Sequence, residues 1–373
     1  MIQELNKVSF KKILILFSLI TIGGSLVNFI FTDMQSATAS GSVLVDKIEQ
    51  SDGWGVIAVD PYTFKVYVTN FKSTTVTVID GNTNTPVSVI EVGSSPYGIG
   101  INTETKILFV AREHNDTLAI VDSVTNEIIK NLELPDPYDI AVNSKTNKAY
   151  VTSDVTHTVF VVDGNENEIV TTFQVDKPCG VAVNEKTNMI YVTSETTNKV
   201  HVFDGSDNNL VTILDVGKSP RGVVVNPNTN MVYVTNQLSG TVDVIDGYKN
   251  EIIDTISVGN TPRRIVVNPD TNTIYVSNQI SNSLSVIDGA TNEVIDSIPV
   301  EQPFELMINP KTNKVYTTYF GHQMLSIVND IERTQNTLDN SSTIIGMLGA
   351  GAIAAIIAFF VIQKKKLKPE QKF

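Results

Sequence analysis

The sequence predicts an all-β fold, a seven-bladed β-propeller of four-stranded antiparallel blades. Three observations predict it. An aromatic anchor recurs every 41 or 42 residues, at Tyr67, Phe109, Tyr150, Tyr191, Tyr233, Tyr275 and Tyr316. Thirteen residues after each stands an acid or amide: Asp80, Asp122, Asp163, Asp204, Asp246, Asp288 and Asn329. Between them short apolar runs alternate with Asn-, Thr- and Gly-rich turns, the pattern of propeller blades with a period of roughly 40 to 45 residues.

The fifth copy shows the elements in order. Val223 to Asn226 is the inner strand, and Asn226-Pro227-Asn228-Thr229-Asn230 is a turn whose side chains bond their own backbone. Met231 to Thr235 and Thr241 to Ile245 are the second and third strands, Asp246-Gly247 opens the next turn, and Ile252 to Val258 is the outer strand. The same turn slots hold Asn102, Asn143, Asn184, Asn268 and Asn309, and then Asn84, Asn126, Asn167, Asn208, Asn250 and Asn292. Calcium loops are the alternative reading of the Asp-Gly turns. Calcium takes about six to eight oxygens, whereas each turn offers one carboxylate and one amide, so the turns read as structural. No metal site is expected.

Copy seven has its first three strands and then departs at Asp330-Ile331-Glu332-Arg333. Val43 to Glu49 supplies the missing outer strand, so the N-terminal strand is expected to close the ring and cover the open sheet edge. The propeller is therefore bounded at residues 43–329.

Both ends point to a membrane. Residues 1–39 carry Lys7, Lys11 and Lys12, an apolar run from Ile13 to Phe31, and Ala37-Thr38-Ala39, which reads as a signal peptide or an uncleaved signal anchor. Residues 330–342 form a short polar stalk. Residues 343–363 hold a charge-free stretch long enough to cross a hydrocarbon core of about 30 Å, and residues 364–373 form a basic tail. The positive-inside tendency keeps that tail cytoplasmic and places the propeller outside, as a single-pass membrane protein.

Residues 40–329 carry 18 Lys and Arg against 34 Asp and Glu. Such an acidic surface repels phosphates and excludes a duplex nucleic-acid partner. The single Cys179 excludes an internal disulfide, so stability rests on burial.

Tyr67-Val68-Thr69-Asn70, Tyr233-Val234-Thr235-Asn236 and Tyr275-Val276-Ser277-Asn278 resemble the YVTN repeat of β-propeller proteins, and Val244-Ile245-Asp246-Gly247 extends the likeness. The chain is similar to YVTN-repeat proteins of archaeal cell surfaces and surface layers. The resemblance implies the propeller fold. For function it implies a range that includes surface scaffolds, lactonases and cofactor-dependent electron-transfer proteins.

Chemistry in a propeller is sought at the axial mouth, where an outer strand passes to the next inner strand. Tyr97, Tyr138, Cys179, Arg221, Arg263 and Phe304 fall there, followed by Gly98, Asp139, Gly180, Gly222, Arg264 and Glu305; Trp54-Gly55 serves blade one. Of five arginines, Arg221, Arg263 and Arg264 occupy these slots, and Arg112 closes a second strand on the same face. Two readings stay open. Asp139 and Glu305 pair with the arginines around the ring, or the arginines bind carboxylate or phosphate in a fork beside Tyr97, Tyr138 and Phe304.

His114, His157, His201 and His322 share no slot, and no phosphate loop or nucleophile elbow occurs. Asn115 and Asn340 head glycosylation sequons. The sequence alone therefore favours a membrane-anchored extracellular binding or scaffold module without catalysis or cofactor, with an extracellular protein or glycan partner or self-association. The alternatives are an anchored lactone hydrolase or lyase, or a redox-cofactor propeller, with the site at the arginine-lined mouth.

Overall fold

A computed structural model describes residues 44–49, 55–319 and 324–330. The segments read as signal, stalk, membrane span and basic tail, together with Trp54, His322 and Asn340, lie outside these residues. Among the described residues no helix is long and apolar enough to cross a membrane.

The described strands form seven four-stranded antiparallel sheets, each built of strands consecutive in sequence except one. Blade 1 runs from its inner strand Ile57–Asp60 to its outer strand Thr85–Glu91, and blade 4 from Pro178–Asn184 to Leu210–Asp215. The exception is blade 7, where Leu44–Glu49 pairs antiparallel with Met324–Asn329 and supplies the outer strand. Ring closure by the N-terminal strand is thus observed.

The repeat residues explain the core. Side chains alternate across a strand, and each anchor ring (Tyr67, Phe109, Tyr150, Tyr191, Tyr233, Tyr275, Tyr316) is wholly or almost wholly buried between adjacent blades. Burial of this kind is worth about 25 cal/mol per Å² of apolar surface. Some of the phenols find partners at the next blade, whereas the buried hydroxyls of Tyr150 and Tyr233 have none among the described residues. Tyr191 donates to Asn250 at 2.9 Å, and Tyr275 to Asp330 at 2.5 Å.

Turns at the base carry their Asn and Asp for backbone reasons. Asp246 accepts the amides of Tyr248 and Lys249, while Asn250 takes φ 55°. Asn, Lys and Phe fill the equivalent left-handed position of the first turn, from Phe64 and Lys106 through Asn147, Asn188, Asn230, Asn272 and Asn313. Asparagine tolerates this conformation better than most residues.

A second regularity joins the blades. The first-turn Asn accepts its own turn's amides through Oδ1 and donates through Nδ2 to the left-handed Asn of the next blade. The distances are 2.6 Å for Asn102 to Asn147, 2.9 Å for Asn143 to Asn188, 2.7 Å for Asn226 to Asn272 and 3.1 Å for Asn268 to Asn313. Between blades 1 and 2 an ion pair, Lys106 to Asp60 at 2.7 Å, replaces the amides. At the seam between blades 7 and 1, Phe64 offers no acceptor, and Lys314 instead reaches the Gly81 carbonyl at 2.7 Å and the Asn84 side chain at 2.9 Å.

Candidate functional site

The mouth is built by the third residue of the repeat phrase. Thr69 accepts the Val56 amide at 2.9 Å and donates to the Tyr97 carbonyl of the next blade at 2.8 Å. Thr152 does the same for Asp139 and Cys179, Thr193 for Gly180 and Arg221, and Thr235 for Gly222 and Arg263. One hydroxyl thus fixes two mouth positions at once. Ala111 stands in this slot in blade 2 and leaves the Tyr138 carbonyl without that bond.

Glycine is needed where inner strands crowd the axis. A Cβ on Gly98 would lie 2.0 Å from the Tyr138 carbonyl oxygen, and one on Gly180 would lie 2.1 Å from that of Arg221. Real Cβ atoms do not approach so closely. Three blades depart from glycine at this slot, with Asp139, Arg264 and Glu305, and these three make one ion cluster. Arg264 Nη2 lies 3.1 Å from Asp139 Oδ1, and Arg264 Nε donates to Glu305 Oε2 at 2.6 Å. Asp139 Oδ2 also accepts the Val181 amide at 3.0 Å.

The contacts cross the ring. Arg264 belongs to blade 6 and Asp139 to blade 3, Arg221 of blade 5 reaches the Tyr138 hydroxyl of blade 3 at 3.4 Å, and Arg263 reaches Tyr97 of blade 2 at 3.4 Å. Tyr97 and Tyr138 stack with centroids 4.9 Å apart, and their hydroxyls lie 3.2 Å apart. Arg263 lies over the Phe304 ring at 3.8 Å, close enough for a cation–π contact.

Charges in the cluster are set by burial and by partners. Burial works against the Arg264 cation, but Asp139 and Glu305 outweigh it and hold its pKa well above the usual value. Burial pushes the Glu305 carboxyl up, with Arg264 and Arg263 pulling it back. Burial also raises Tyr97, Tyr138 and the Cys179 thiol, so all three stay protonated at neutral pH. Arg221 pairs with Glu195 at 3.2 Å. Arg263 alone among the three mouth arginines has no carboxylate within ion-pair distance among the described residues.

Of the nine residues singled out for the rim, eight converge: Tyr97, Tyr138, Asp139, Arg221, Arg263, Arg264, Phe304 and Glu305. Arg112 does not join them. Its guanidinium donates to the Val92 carbonyl at 2.9 Å and to Asn131 at 2.8 Å, bracing the connection at Gly93 between blades 1 and 2. Asn115 lies exposed in the short 3-10 turn Glu113–Asn115. His157 pairs with Asp176 at 2.6 Å, and His114 packs on Phe71, both away from the ion cluster.

Beside the cluster opens a cavity of about 140 Å³ that Tyr138, Cys179 and Arg221 share with Glu113, Asp154, Lys177 and Glu195. The sequence reading missed the last four. They come from turns between second and third strands and from one connector, where an unusual run of charged residues in adjacent blades was the available signal. Lys177 lies 3.5 Å from Asp154.

Residues 184–339 match the family model described as Cytochrome D1 heme domain, a β-propeller family, over less than half of the chain. No curated protein matches the chain. Among solved structures, a chain of Kuenenia stuttgartiensis hydrazine synthase is similar at 15% identity and a TM-score of 0.67, covering 77% of this chain and 97% of that one. A chain of the mitotic checkpoint complex is similar at 11% identity and a TM-score of 0.69, covering 78% and 92%. At these identities the likeness is one of fold.

Proposed function

We propose that the chain is a ligand-binding propeller whose site is the arginine-lined axial mouth, carried outside the cell on a C-terminal membrane span. The observation that carries the reading is Arg263. Its guanidinium lies over Phe304 at 3.8 Å, reaches Tyr97 across the ring at 3.4 Å, and has no carboxylate within ion-pair distance among the described residues. Such a group binds a carboxylate or phosphate oxygen in a fork. A plain scaffold gives no reason to gather three arginines at the axis, and the family-model match also favours a ligand-holding propeller over a scaffold. Resemblance to YVTN surface proteins supports the extracellular placement.

The family match raises a second reading, a haem-type redox cofactor. The residues described do not fit a haem sunk into the channel. The adjoining cavity is about 140 Å³, below the roughly 300 to 1,000 Å³ of ordinary small-molecule sites. Haem iron takes His, Cys thiolate, Met or Tyr as its protein ligand. Among the described residues at the mouth the candidates are Tyr97 and Tyr138, bonded to each other, and a buried protonated Cys179. No electron-transfer step is therefore derived.

The test is a thermal-shift screen of the purified protein against organic mono- and dicarboxylates and phosphate esters, with Arg263→Ala beside the wild type. Ligand at a hundredfold over Kd adds about 2.7 kcal/mol to stability. The reading expects a shift in wild type that the variant loses. A visible-region absorption band in protein taken from its native source would instead establish the cofactor reading.

A further inference from the structure

The turns between second and third strands divide the mouth face into two sectors. The fourth and fifth residues after the aromatic anchor form each tip: Glu113-His114, Asp154-Val155 and Glu195-Thr196 in blades 2 to 4, but Gln237-Leu238 and Gln279-Ile280 in blades 5 and 6. The acids of the first sector line the cavity described above. The tips of the second carry no charge and end in hydrocarbon, with Leu238 76% and Ile280 68% exposed. Single exposed apolar residues are ordinary; here two hold the same slot in adjacent blades, where they add nothing to the core. Both tips are tied to the connections that lead into the mouth arginines. The Leu238 amide donates to the Lys218 carbonyl at 3.1 Å, three residues before Arg221, and the Gln279 amide to the Thr261 carbonyl at 3.1 Å, two residues before Arg263. Arg221 Nε also donates to the Gln237 side chain at 2.9 Å.

We propose that this sector docks the C-terminal end of a partner protein, an extended peptide whose free carboxylate sits on Arg263 and whose aliphatic side chains cover Leu238 and Ile280. The inference rests on the mouth reading, since Arg263 belongs to both. Charge selects the sector. Arg263 has no carboxylate within ion-pair distance among the described residues, whereas Glu113, Asp154 and Glu195 across the face repel an acidic end. Shape selects a chain over a small molecule. A small molecule needs concave walls that cover most of its surface, and the cavity on this face lies in the acidic sector. Turn tips of adjacent blades instead offer a surface that an extended chain, at about 3.3 Å per residue, crosses in a few residues. Capture of a terminal carboxylate with flanking side-chain contacts is a recurring way to hold a peptide end.

The experiment is fluorescence anisotropy of the full chain with labelled octapeptide pools. One pool has Leu, Ile or Val at its last three positions and a free carboxylate, the second is the same pool amidated, and the third is a free-acid pool ending in Ser, Asn or Gly. The Leu238→Ser/Ile280→Ser variant is measured in parallel after its melting temperature has been checked. The expected result is that the aliphatic acid pool binds wild type about tenfold tighter than either other pool, the worth of a charge-assisted contact or of one buried aliphatic side chain, and that the variant loses about tenfold. The contrast between acid and amide is read in wild type, so it decides the matter even if the variant fails to fold. An amidated pool that binds as tightly as the acid, affinity indifferent to Leu238→Ser/Ile280→Ser, or no peptide binding at all would overturn the docked C-terminus. Short carboxylates that still shift the melting temperature of wild type would then leave the anion site at Arg263 standing. No response to peptides or to short carboxylates would overturn both.

Discussion

The two ends of the propeller axis are built by opposite rules. At the base, blade after blade repeats one bond, an Asn amide donating to the Asn of its neighbour, from Asn102 and Asn147 to Asn268 and Asn313. At the mouth the blades disagree: the slot after the connection holds glycine at Gly98, Gly180 and Gly222 but charged residues at Asp139, Arg264 and Glu305. Repetition at the base is what holding a ring closed requires, because every junction carries the same load. Variety at the mouth has no such explanation. There the three arginines also contact partners two or three blades away around the ring, and the charged residues that depart from the repeat are the ones that meet.

The comparison breaks most readily at Arg264. Replacing it with Met leaves Asp139 and Glu305 buried without a cation, and breaking such a pair costs about 3 to 5 kcal/mol. Urea unfolding should show the loss, and a change below 1 kcal/mol would mean that the ion cluster is solvated. Next in size is Thr235→Val, which removes one hydroxyl serving both the Gly222 amide and the Arg263 carbonyl. The cost expected is about 1 to 3 kcal/mol, and any ligand response at Arg263 should weaken with it.

The base then sharpens the contrast. Asn226→Ala removes two turn bonds and the bond to Asn272, an expected loss of about 1 to 2 kcal/mol. Asn309→Ala should cost less by the same measurement, since its Nδ2 has no partner at the seam.

The smallest effect is one of pH. Asp136 is raised in the folded state from the ordinary carboxyl range to about 6, so between about pH 4 and 6 the native protein binds a proton that the unfolded chain has released. That contribution is present below pH 4 and is lost as pH rises through 6. Asp136→Asn should therefore raise the melting temperature at pH 7 and flatten its fall between pH 4 and 6.

The fold was legible because its determinants are periodic. Tyr67 and its six counterparts fill equivalent interblade sites, and the missing outer strand of blade 7 announced itself as a surplus strand at Val43 to Glu49. Mouth residues were legible as positions, since the connection between blades has fixed length. Side-chain direction was not legible. Arg112 shares the face with Arg221 but turns into the Gly93 connection, a choice made by local backbone shape. The amide ladder at the base also escaped, because its donor and acceptor lie about one repeat apart and become neighbours only when the ring closes. Glu113, Asp154, Lys177 and Glu195 escaped for the same reason, lying on separate turns and connectors that converge in space alone.

The most direct measurement is a ligand-induced thermal shift, read in wild type, in the mouth variant Arg221→Ala/Arg263→Ala and in the base variant Asn226→Ala, with organic anions as probes. A mouth that binds and a base that holds predict a shift of equal size in wild type and Asn226→Ala, and none in the mouth variant. An equal shift in the mouth variant, or none in any of the three, would contradict the account.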